Sequence, residues 1–233
     1  MKLKLSTSIL LLLFSTLFLV SCECVTKLDT PKVVEPTDFA KVMFINSMPE
    51  IDSVDICSVD KIISRNILYD SASVEYKVIA SGLTSIRVQS YKDSTIYFNT
   101  MLDLTKDAYY TFFAYGTKSR TNGLLINDSI GKAVPTNAYV RFVHLSQDAP
   151  EIVFAFGSYQ INQPLKYKSY TKFMPIPTGI FTLIINDSGD GSEIIKVENY
   201  NFKPGKYYNL LLKGYYKQPN SRKLTCEIIE FTF

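Results

Sequence analysis

The sequence predicts an all-β protein: two tandem immunoglobulin-like antiparallel β-sandwich domains that follow a signal peptide and a short tether. Short runs rich in Val, Ile, Phe, Tyr and Thr alternate with clusters of Gly, Pro, Asn, Asp and Ser, and no segment shows a helical stripe. The chain also repeats itself at an offset of about 98 residues, as from Ala40 to Ala138. Each repeat holds about seven short strands in roughly 95 residues, which is typical of such a sandwich.

The first 21 residues are typical of a signal peptide. Lys2 and Lys4 precede an apolar run over residues 9–20, which is too short to span a bilayer comfortably. The run ends in Leu19-Val20-Ser21-Cys22, which resembles the lipobox of bacterial lipoproteins. That resemblance implies cleavage before Cys22 and a diacylglycerol on its sulfur. We therefore expect a cell-envelope protein held in the outer membrane through a covalent lipid at Cys22; an ordinary secreted protein stays open as the alternative.

Residues 22–38 are interpreted as a flexible, lipid-anchored tether. They contain Pro31 and Pro36, mixed charges and no apolar periodicity, and at roughly 3.3 Å per residue they reach about 50 Å. The formal net charge of the whole chain is only +3. Such a surface offers no electrostatic footprint for nucleic acid, so we expect no nucleic-acid partner.

The repeat divides the remaining chain into residues 39–134 and 135–233. Matching stretches keep one offset: residues 40–45 with 138–143, residues 79–83 with 176–180, and Gly116 with Gly214. Pro135 suits a junction because it cannot donate to a β-ladder. We expect two sandwiches with separate cores and a modest shared interface, each able to fold alone.

Gly82 and Gly179 hold equivalent positions after short strand-like runs. A tight hairpin needs a residue that adopts positive φ without cost, and glycine does. The sequence therefore predicts a hairpin with positive φ at each of these glycines.

Residues 139–150, read as YVRFVHLSQDAP, and the later Ile176-Pro177-Thr178-Gly179 resemble the bacterial family called domain of unknown function 4397. The resemblance covers most of the second repeat. In the first repeat the equivalent stretch has lost the Arg, the His and the Asp-Ala-Pro, so membership there depends on the repeat itself. The family implies a β-sandwich outside the cytoplasm and implies no reaction.

Polar and sulfur-bearing residues give few candidates for chemistry. Cys57 and Cys226 are interpreted as small buried strand residues and Cys24 as a free thiol of the tether, since their spacing matches no metal site. We expect His144, the only histidine, to hydrogen-bond its neighbouring loop rather than to act in catalysis. Arg141 and Asp148 are predicted to form a local ion pair.

The loop over residues 186–193, NDSGDGSE, suggests two readings. Asn186, Ser188 and Asp190 could be calcium ligands at alternate positions, but Val197 stands at the twelfth position, where an EF-hand needs Glu. The same residue types make ordinary turns. A hairpin loop is favoured, whether the loop from Asp187 to Asp190 binds an ion stays open, and we predict no cofactor or metal.

Two further sets of side chains are candidate contact or modification sites. Tyrosines expected in loops or at strand ends could stack on a sugar or a peptide: Tyr159, Tyr167, Tyr170, Tyr215 and Tyr216. Serines in Asp-Ser pairs resemble the O-glycan acceptor motif of exported Bacteroidetes proteins: Ser53, Ser71, Ser94 and Ser129. For both sets the alternative is purely structural, because sandwich strands favour Tyr and turns favour Asp-Ser.

These features lead to a functional hypothesis without an assigned ligand. We expect a non-enzymatic binding or adhesion module whose partner is another envelope protein or a glycan, since sandwiches present loops on a rigid scaffold. A structural spacer or an assembly subunit of an envelope complex is the alternative. A hydrolase acting on polysaccharide or peptide is less favoured, because no acidic pair is repeated between the two halves.

Overall fold

The computed structural model describes residues 38–70, 75–128, 134–218 and 222–231. All of them belong to one compact unit, Pro36–Phe233. They form seventeen strands and no helix, which confirms the all-β prediction. No helix in these described ranges is long and apolar enough to cross a membrane. The predicted signal peptide, Cys22, Cys24, Ser71 and Ser129 lie outside the described residues.

The first half contains eight strands: β1 (Phe39–Ser47), β2 (Ser53–Ser58), β3 (Lys61–Leu68), β4 (Lys77–Ala80), β5 (Gly82–Ser90), β6 (Ile96–Leu104), β7 (Tyr109–Thr117) and β8 (Arg120–Asn127). They form two four-stranded sheets. Sheet I has the order β4-β1-β7-β8 and sheet II the order β3-β2-β5-β6.

The second half contains nine strands: β9 (Asn137–His144), β10 (Ile152–Phe156), β11 (Tyr159–Leu165), β12 (Ser169–Tyr170), β13 (Met174–Pro177), β14 (Gly179–Asp187), β15 (Glu193–Phe202), β16 (Tyr207–Lys213) and β17 (Thr225–Phe231). Sheet III has the order β12-β9-β16-β17, with β13 also paired to β9, and sheet IV the order β11-β10-β14-β15. Strand pairs among the described residues join strands of the same half.

One strand pair in each half departs from the antiparallel pattern that the sequence predicts. β1 pairs with β7 in parallel, and β9 pairs with β16 in parallel. Parallel neighbours need a long connection between them. In each half this connection contains the strands of the opposite sheet, after which the chain returns to the first sheet.

Each half is closed by an apolar layer between its two sheets. Phe44 and Phe112 of sheet I pack with Val54, Ile86 and other residues of sheet II. An equivalent layer between sheets III and IV includes Phe142, Phe154 and Leu210. The two halves are therefore sandwiches, as predicted.

A third apolar layer lies between sheet I and sheet III, and it is larger than the modest interface expected from the sequence. It includes Met43 and Phe113 from the first half and Val143, Leu211 and Ile229 from the second. Every residue of β16 is buried, and β7 is buried from its second to its eighth residue. Sheets I and III are thus covered on both faces, so four sheets stack with three apolar layers between them.

The turns at Gly82 and Gly179 have the positive φ that the sequence predicts, +85° and +130°, but the predicted hairpins are wrong. β4 pairs with β1 in sheet I, whereas β5 pairs with β2 and β6 in sheet II. β13 and β14 are divided in the same way between sheets III and IV. Each glycine therefore turns the chain from one sheet of its sandwich to the other.

The first strand of each half, β1 and β9, begins at the same end of the body. Near the starts of β1 and β9, the ring of Tyr76 packs edge-on against Phe231 with the ring centroids 6.2 Å apart. Beyond the ends of β1 and β16, the Tyr215 hydroxyl donates to Glu50 Oε1 at 2.7 Å. We call the end where β1 and β9 begin the N-terminal end, and the opposite one the far end.

Candidate functional site

Arg141 does not pair with Asp148 as predicted; it makes a buried ion pair with Asp128. It lies on β9 and is 1% exposed, and its Nη1 lies 2.7 Å from Asp128 Oδ1. Its Nε donates to Asn209 Oδ1 at 2.9 Å. The prediction failed because Val140 and Phe142 point into their own sandwich, which directs Arg141 towards the first half.

The other oxygen of Asp128 is also occupied. Oδ2 accepts hydrogen bonds from the Thr111 hydroxyl at 2.6 Å and from the Tyr76 hydroxyl at 3.0 Å. Burial, together with the neighbouring carboxylate of Asp128, raises the pKa of Tyr76 above its usual range, so it stays a donor. This cluster joins the two halves and presents no group to a ligand.

A second polar cluster attaches the β16–β17 hairpin to the first half. Lys213 is 2% exposed, with its Nζ 2.6 Å from Glu227 Oε2 and 4.1 Å from the centre of the Tyr69 ring. Lys213 also donates to the Tyr69 carbonyl. Arg222 bonds to Asp52 at 2.7 Å and also pairs with Asp70. The hydrogen bond from Arg222 is the main cause that lowers the pKa of Asp52.

His144 is fully buried at the end of β9, and the predicted bond to its loop is confirmed. Its Nε2 lies 3.0 Å from the carbonyl of Pro150. Burial in apolar surroundings lowers the pKa of His144, because the charged imidazolium would lose its hydration. Its environment therefore favours the neutral ring.

Asp148, the expected partner of Arg141, instead fixes the backbone at the far end. Its Oδ1 accepts from the backbone N–H of Tyr216 at 2.8 Å, and its Oδ2 from that of Lys217 at 3.0 Å. The Ser146 hydroxyl donates to the Gly214 carbonyl at 2.7 Å. The segment after β16 is thus held firmly against the loop after β9.

An open depression of about 390 Å³ lies on this segment at the far end. Tyr216, Lys217, Gln218 and Lys223 line it and are exposed, and the Tyr216 side chain is 43% exposed. Neither lysine makes an ion pair with a carboxylate in the described ranges. Tyr215 also lines it but is only 3% exposed, and its hydroxyl is engaged by Glu50. An exposed ring beside two lysines that have no ion-pair partner among the described residues makes this the candidate functional site.

The structure does not bring the five candidate tyrosines together. Tyr159 begins β11 in sheet IV at the N-terminal end, whereas Tyr170 lies in β12 of sheet III. Tyr167 is half-buried between Tyr115 and His144, with ring centroids 6.2 and 6.3 Å away. Tyr159 and Tyr170 are exposed, at 50% and 44%, but each lies apart from the other candidates. Only Tyr215 and Tyr216 adjoin, and of these two only Tyr216 is exposed.

The candidate serines and the cysteines occupy contrasting environments. Ser53 is buried in β2, at 8% exposure, which disfavours modification of the folded chain. Ser94 is exposed in a turn. Cys57 and Cys226 are free thiols and are buried in strands, as predicted.

The acidic loop after β14 is a set of turns. Asp187 Oδ1 accepts from the Gly189 backbone N–H at 2.7 Å, and Asp190 Oδ1 accepts from that of Ser192 at 2.9 Å. Among the described residues no group of three His, Cys, Asp or Glu side chains is placed to hold a metal ion. The carboxylates of Asp187 and Asp190 thus accept hydrogen bonds from the backbone of their own loop.

Several residues of these clusters escaped the sequence reasoning. Asp128, Lys213 and Arg222 follow no motif, and each has at least one partner in the other half of the chain. One signal was available: Met43 stands where Arg141 stands in the second repeat, so the charge at Arg141 could not belong to a feature shared by both sandwiches.

Comparison with known proteins shows similarity to one domain family, for which no activity is given. The model of the family described as Domain of unknown function (DUF4397) matches residues 40–155. This match supports that domain family for the first sandwich and for the start of the second, including the stretch that carries the resemblance described above. No curated protein matches the chain significantly.

Among solved structures, the chain is similar to CBMbc (family CBM26) from Eubacterium rectale Amy13K, crystallised in complex with maltoheptaose. The alignment covers 84% of this chain and 97% of that one, with a TM-score of 0.25 and 8% identity. Values this low carry no argument about the ligand of this chain.

Proposed function

We propose that the protein is a lipid-anchored, non-enzymatic binding protein of the bacterial outer membrane, and that its far end binds a glycan bearing anionic groups. The observation that carries the proposal is the depression at Tyr216. It combines an exposed aromatic ring, an amide from Gln218 and two lysines without a carboxylate partner among the described residues.

Each part of the depression has a counterpart in such a ligand. The face of a tyrosine ring packs against the apolar face of a sugar ring. Lys217 and Lys223 attract a carboxylate or sulfate group, and amide groups fix orientation through hydrogen bonds. Because Asp148 already holds the backbone at Tyr216 and Lys217, the backbone of these two residues needs little further ordering on binding.

The proposed anchor is the lipid at Cys22. Leu19-Val20-Ser21-Cys22 provides the acylation sequence, and two or more acyl chains are needed for stable attachment. A Cys22→Ser variant should be released from membranes or accumulate as an uncleaved precursor. Metabolic labelling with an alkyne fatty acid tests this directly, and a wild-type chain that takes up no label contradicts the anchor.

Glycan binding is tested by isothermal calorimetry with acidic and neutral polysaccharides. Tyr216→Ala should weaken binding of the acidic polysaccharide about fivefold or more, since one stacked ring contributes roughly 1–3 kcal/mol. Tyr91→Ala is the matched control, because Tyr91 is 45% exposed but lies outside the depression. Equal affinity for neutral polysaccharides, or no effect of Tyr216→Ala, contradicts the proposal.

A structural spacer is the second candidate, and the stack of four sheets favours it. Cross-half ion pairs and the apolar layer between sheets I and III make a stiff body. A spacer predicts no glycan ligand. It also predicts that an envelope partner is recovered equally well from solubilised envelopes with wild type and with Tyr216→Ala.

A further inference from the structure

The N-terminal end of the body carries the most exposed large hydrophobic side chains among the described residues. They are Val59, Leu83, Ile180 and Val78, with exposures of 77%, 72%, 67% and 61%. Val59 lies in the turn between β2 and β3, Val78 lies opposite Lys41 near the start of β1, and Leu83 and Ile180 follow the glycines that begin β5 and β14. No large hydrophobic described at the far end exceeds the 52% of Ile96. We call these four residues the apolar rim.

Both sandwiches contribute to the rim at equivalent positions. Leu83 and Ile180 each follow a glycine with positive φ, where the chain turns from one sheet to the other. Their cross-strand neighbours, Asp103 and Asn201, are polar. Thus neither aliphatic side chain is paired with an apolar one across its sheet.

Val59 is both exposed and strained. Its φ is +44° and that of Asp60 is +64°, values that are unfavourable for a β-branched residue. The equivalent residue of the second half is Gly157, with φ +53°, which adopts this conformation without cost. Since the Val59 side chain is 77% exposed, packing inside the protein does not explain a valine there.

Charged groups near the rim are largely neutralised by one another. Lys106 pairs with Asp38 at 2.6 Å, Arg87 with Asp60 at 3.2 Å, and Lys203 with Glu230 at 2.9 Å. Lys61 and Asp103 are also exposed at this end and form no ion pair among the described residues, but their charges are opposite. The end is therefore apolar and close to neutral in sum. That chemistry suits the interfacial region of a bilayer, where aliphatic side chains gain from leaving water.

The chain enters the body beside the rim. The carbonyl of Asp38 accepts a hydrogen bond from the backbone N–H of Ser81 at 3.0 Å, next to the corner that presents Leu83. Only sixteen positions separate Asp38 from Cys22. On the proposed function, the acylated end of the chain and the rim thus face the same membrane.

We propose that the apolar rim docks on the surface of the bilayer that holds the lipid anchor, with Val59, Leu83 and Ile180 entering its interfacial region. The choice of a bilayer as the partner rests on the proposed lipid anchor. Docking through aliphatic side chains depends little on anionic lipid or on salt, because the positive and negative charges near the rim balance.

The test uses the unlipidated chain 23–233, which lacks no residue of the compact unit Pro36–Phe233. It should co-sediment with phosphatidylcholine vesicles, and adding phosphatidylglycerol or salt should change the bound fraction less than twofold. The double variant Leu83→Ser/Ile180→Ser should bind at least about tenfold more weakly. The matched control is Leu68→Ser/Ile96→Ser, which removes exposed aliphatic residues (44% and 52%) from the far end and should bind like wild type.

Val59→Gly separates docking from damage to the fold. It removes the strain at φ +44° and should leave the melting temperature equal or higher, while vesicle binding falls severalfold. A variant that binds as well as wild type removes Val59 from the contact and overturns that part of the proposal.

Other outcomes overturn the proposal as a whole. They are no binding to either vesicle, equal losses in the rim and control variants, binding that requires phosphatidylglycerol, or a dimer that dissociates on Leu83→Ser/Ile180→Ser, which would make the rim a contact between copies. Fatty-acid labelling of wild type is independent of all these results. If the chain takes up the fatty-acid label but does not bind vesicles, the proposed lipid anchor stands and the proposed docking surface is refuted.

Discussion

Asp128→Asn is the most direct perturbation of the contact between the two sandwiches. The carboxylate is 0% exposed and receives Arg141 on one oxygen and the Thr111 and Tyr76 hydroxyls on the other. An amide of the same shape has one acceptor oxygen and no charge. At least one donor is then left unpaired, and the buried guanidinium loses its counter-charge.

The expected loss of stability follows from that burial. Breaking a buried ion pair by removing one partner costs about 3–5 kcal/mol, since the remaining charge stays out of water. For a body of this size 1 kcal/mol corresponds to about 2–4 °C, so the melting temperature should fall by about 6–20 °C. Arg141→Met should restore part of the loss in the double variant, because Met43 already occupies the equivalent position in the first half.

Circular dichroism during thermal and urea unfolding measures this loss. Glu198→Gln is the control, since it breaks the pair of Lys196 and Glu198, whose side chains are 44% and 61% exposed. It should cost no more than about 0.5 kcal/mol. If Asp128→Asn melts within about 2 °C of wild type, the ion pair does not hold the halves together and the reasoning fails.

Three further predictions concern the glycine turn, the buried histidine and the independence of the halves. Gly179→Val should cost about 1–3 kcal/mol through its backbone alone, because φ is +130° and the nearest atom to an added Cβ lies 3.9 Å away; an unchanged melt contradicts this. Burial lowers the pKa of His144. Below about pH 6.5 the unfolded chain therefore binds a proton that the folded chain does not, and stability falls as pH falls. The melting temperature of His144→Asn should depend less on pH between about pH 7 and 5 than that of wild type, and an unchanged pH dependence refutes the assignment. Residues 136–233 alone should fold but self-associate through the uncovered face of sheet III; no dispersed amide spectrum refutes the first point, and a monomer in light scattering refutes the second.

The internal repeat made much of the fold predictable. The offset of about 98 residues predicted two similar β units, and the glycines at 82 and 179 predicted positive φ at both turns. The strand partners around those glycines could not be predicted, because a local sequence does not say whether a turn stays in its sheet. The third apolar layer had a signal that was missed: β7 and β16 read as continuous apolar runs rather than alternating ones, which is typical of strands covered on both faces.

The candidate site was predictable only in part. Tyr216 could be named as a loop aromatic, but its neighbour Tyr215 looked the same in the sequence and is buried against Glu50. Arg141 and Asp148 were paired because they lie seven residues apart. The Arg141 side chain lies on the face of β9 that points towards the first half, so its partner is Asp128. Asp148 instead accepts hydrogen bonds from the backbone N–H groups of Tyr216 and Lys217.

The positions of the two proposed surfaces restrict what the protein can bind in the cell. Strands of nine residues such as β1 and β7 span about 30 Å at 3.3 Å per residue. With the apolar rim docked, the depression at Tyr216 is held about 30 Å above the bilayer. If the rim were not docked, a tether of about 50 Å would let the depression reach about 80 Å from the bilayer. A docked body therefore meets glycans close to the membrane surface, including those attached to lipids of the same bilayer, and it misses ligands that only an extended tether could reach.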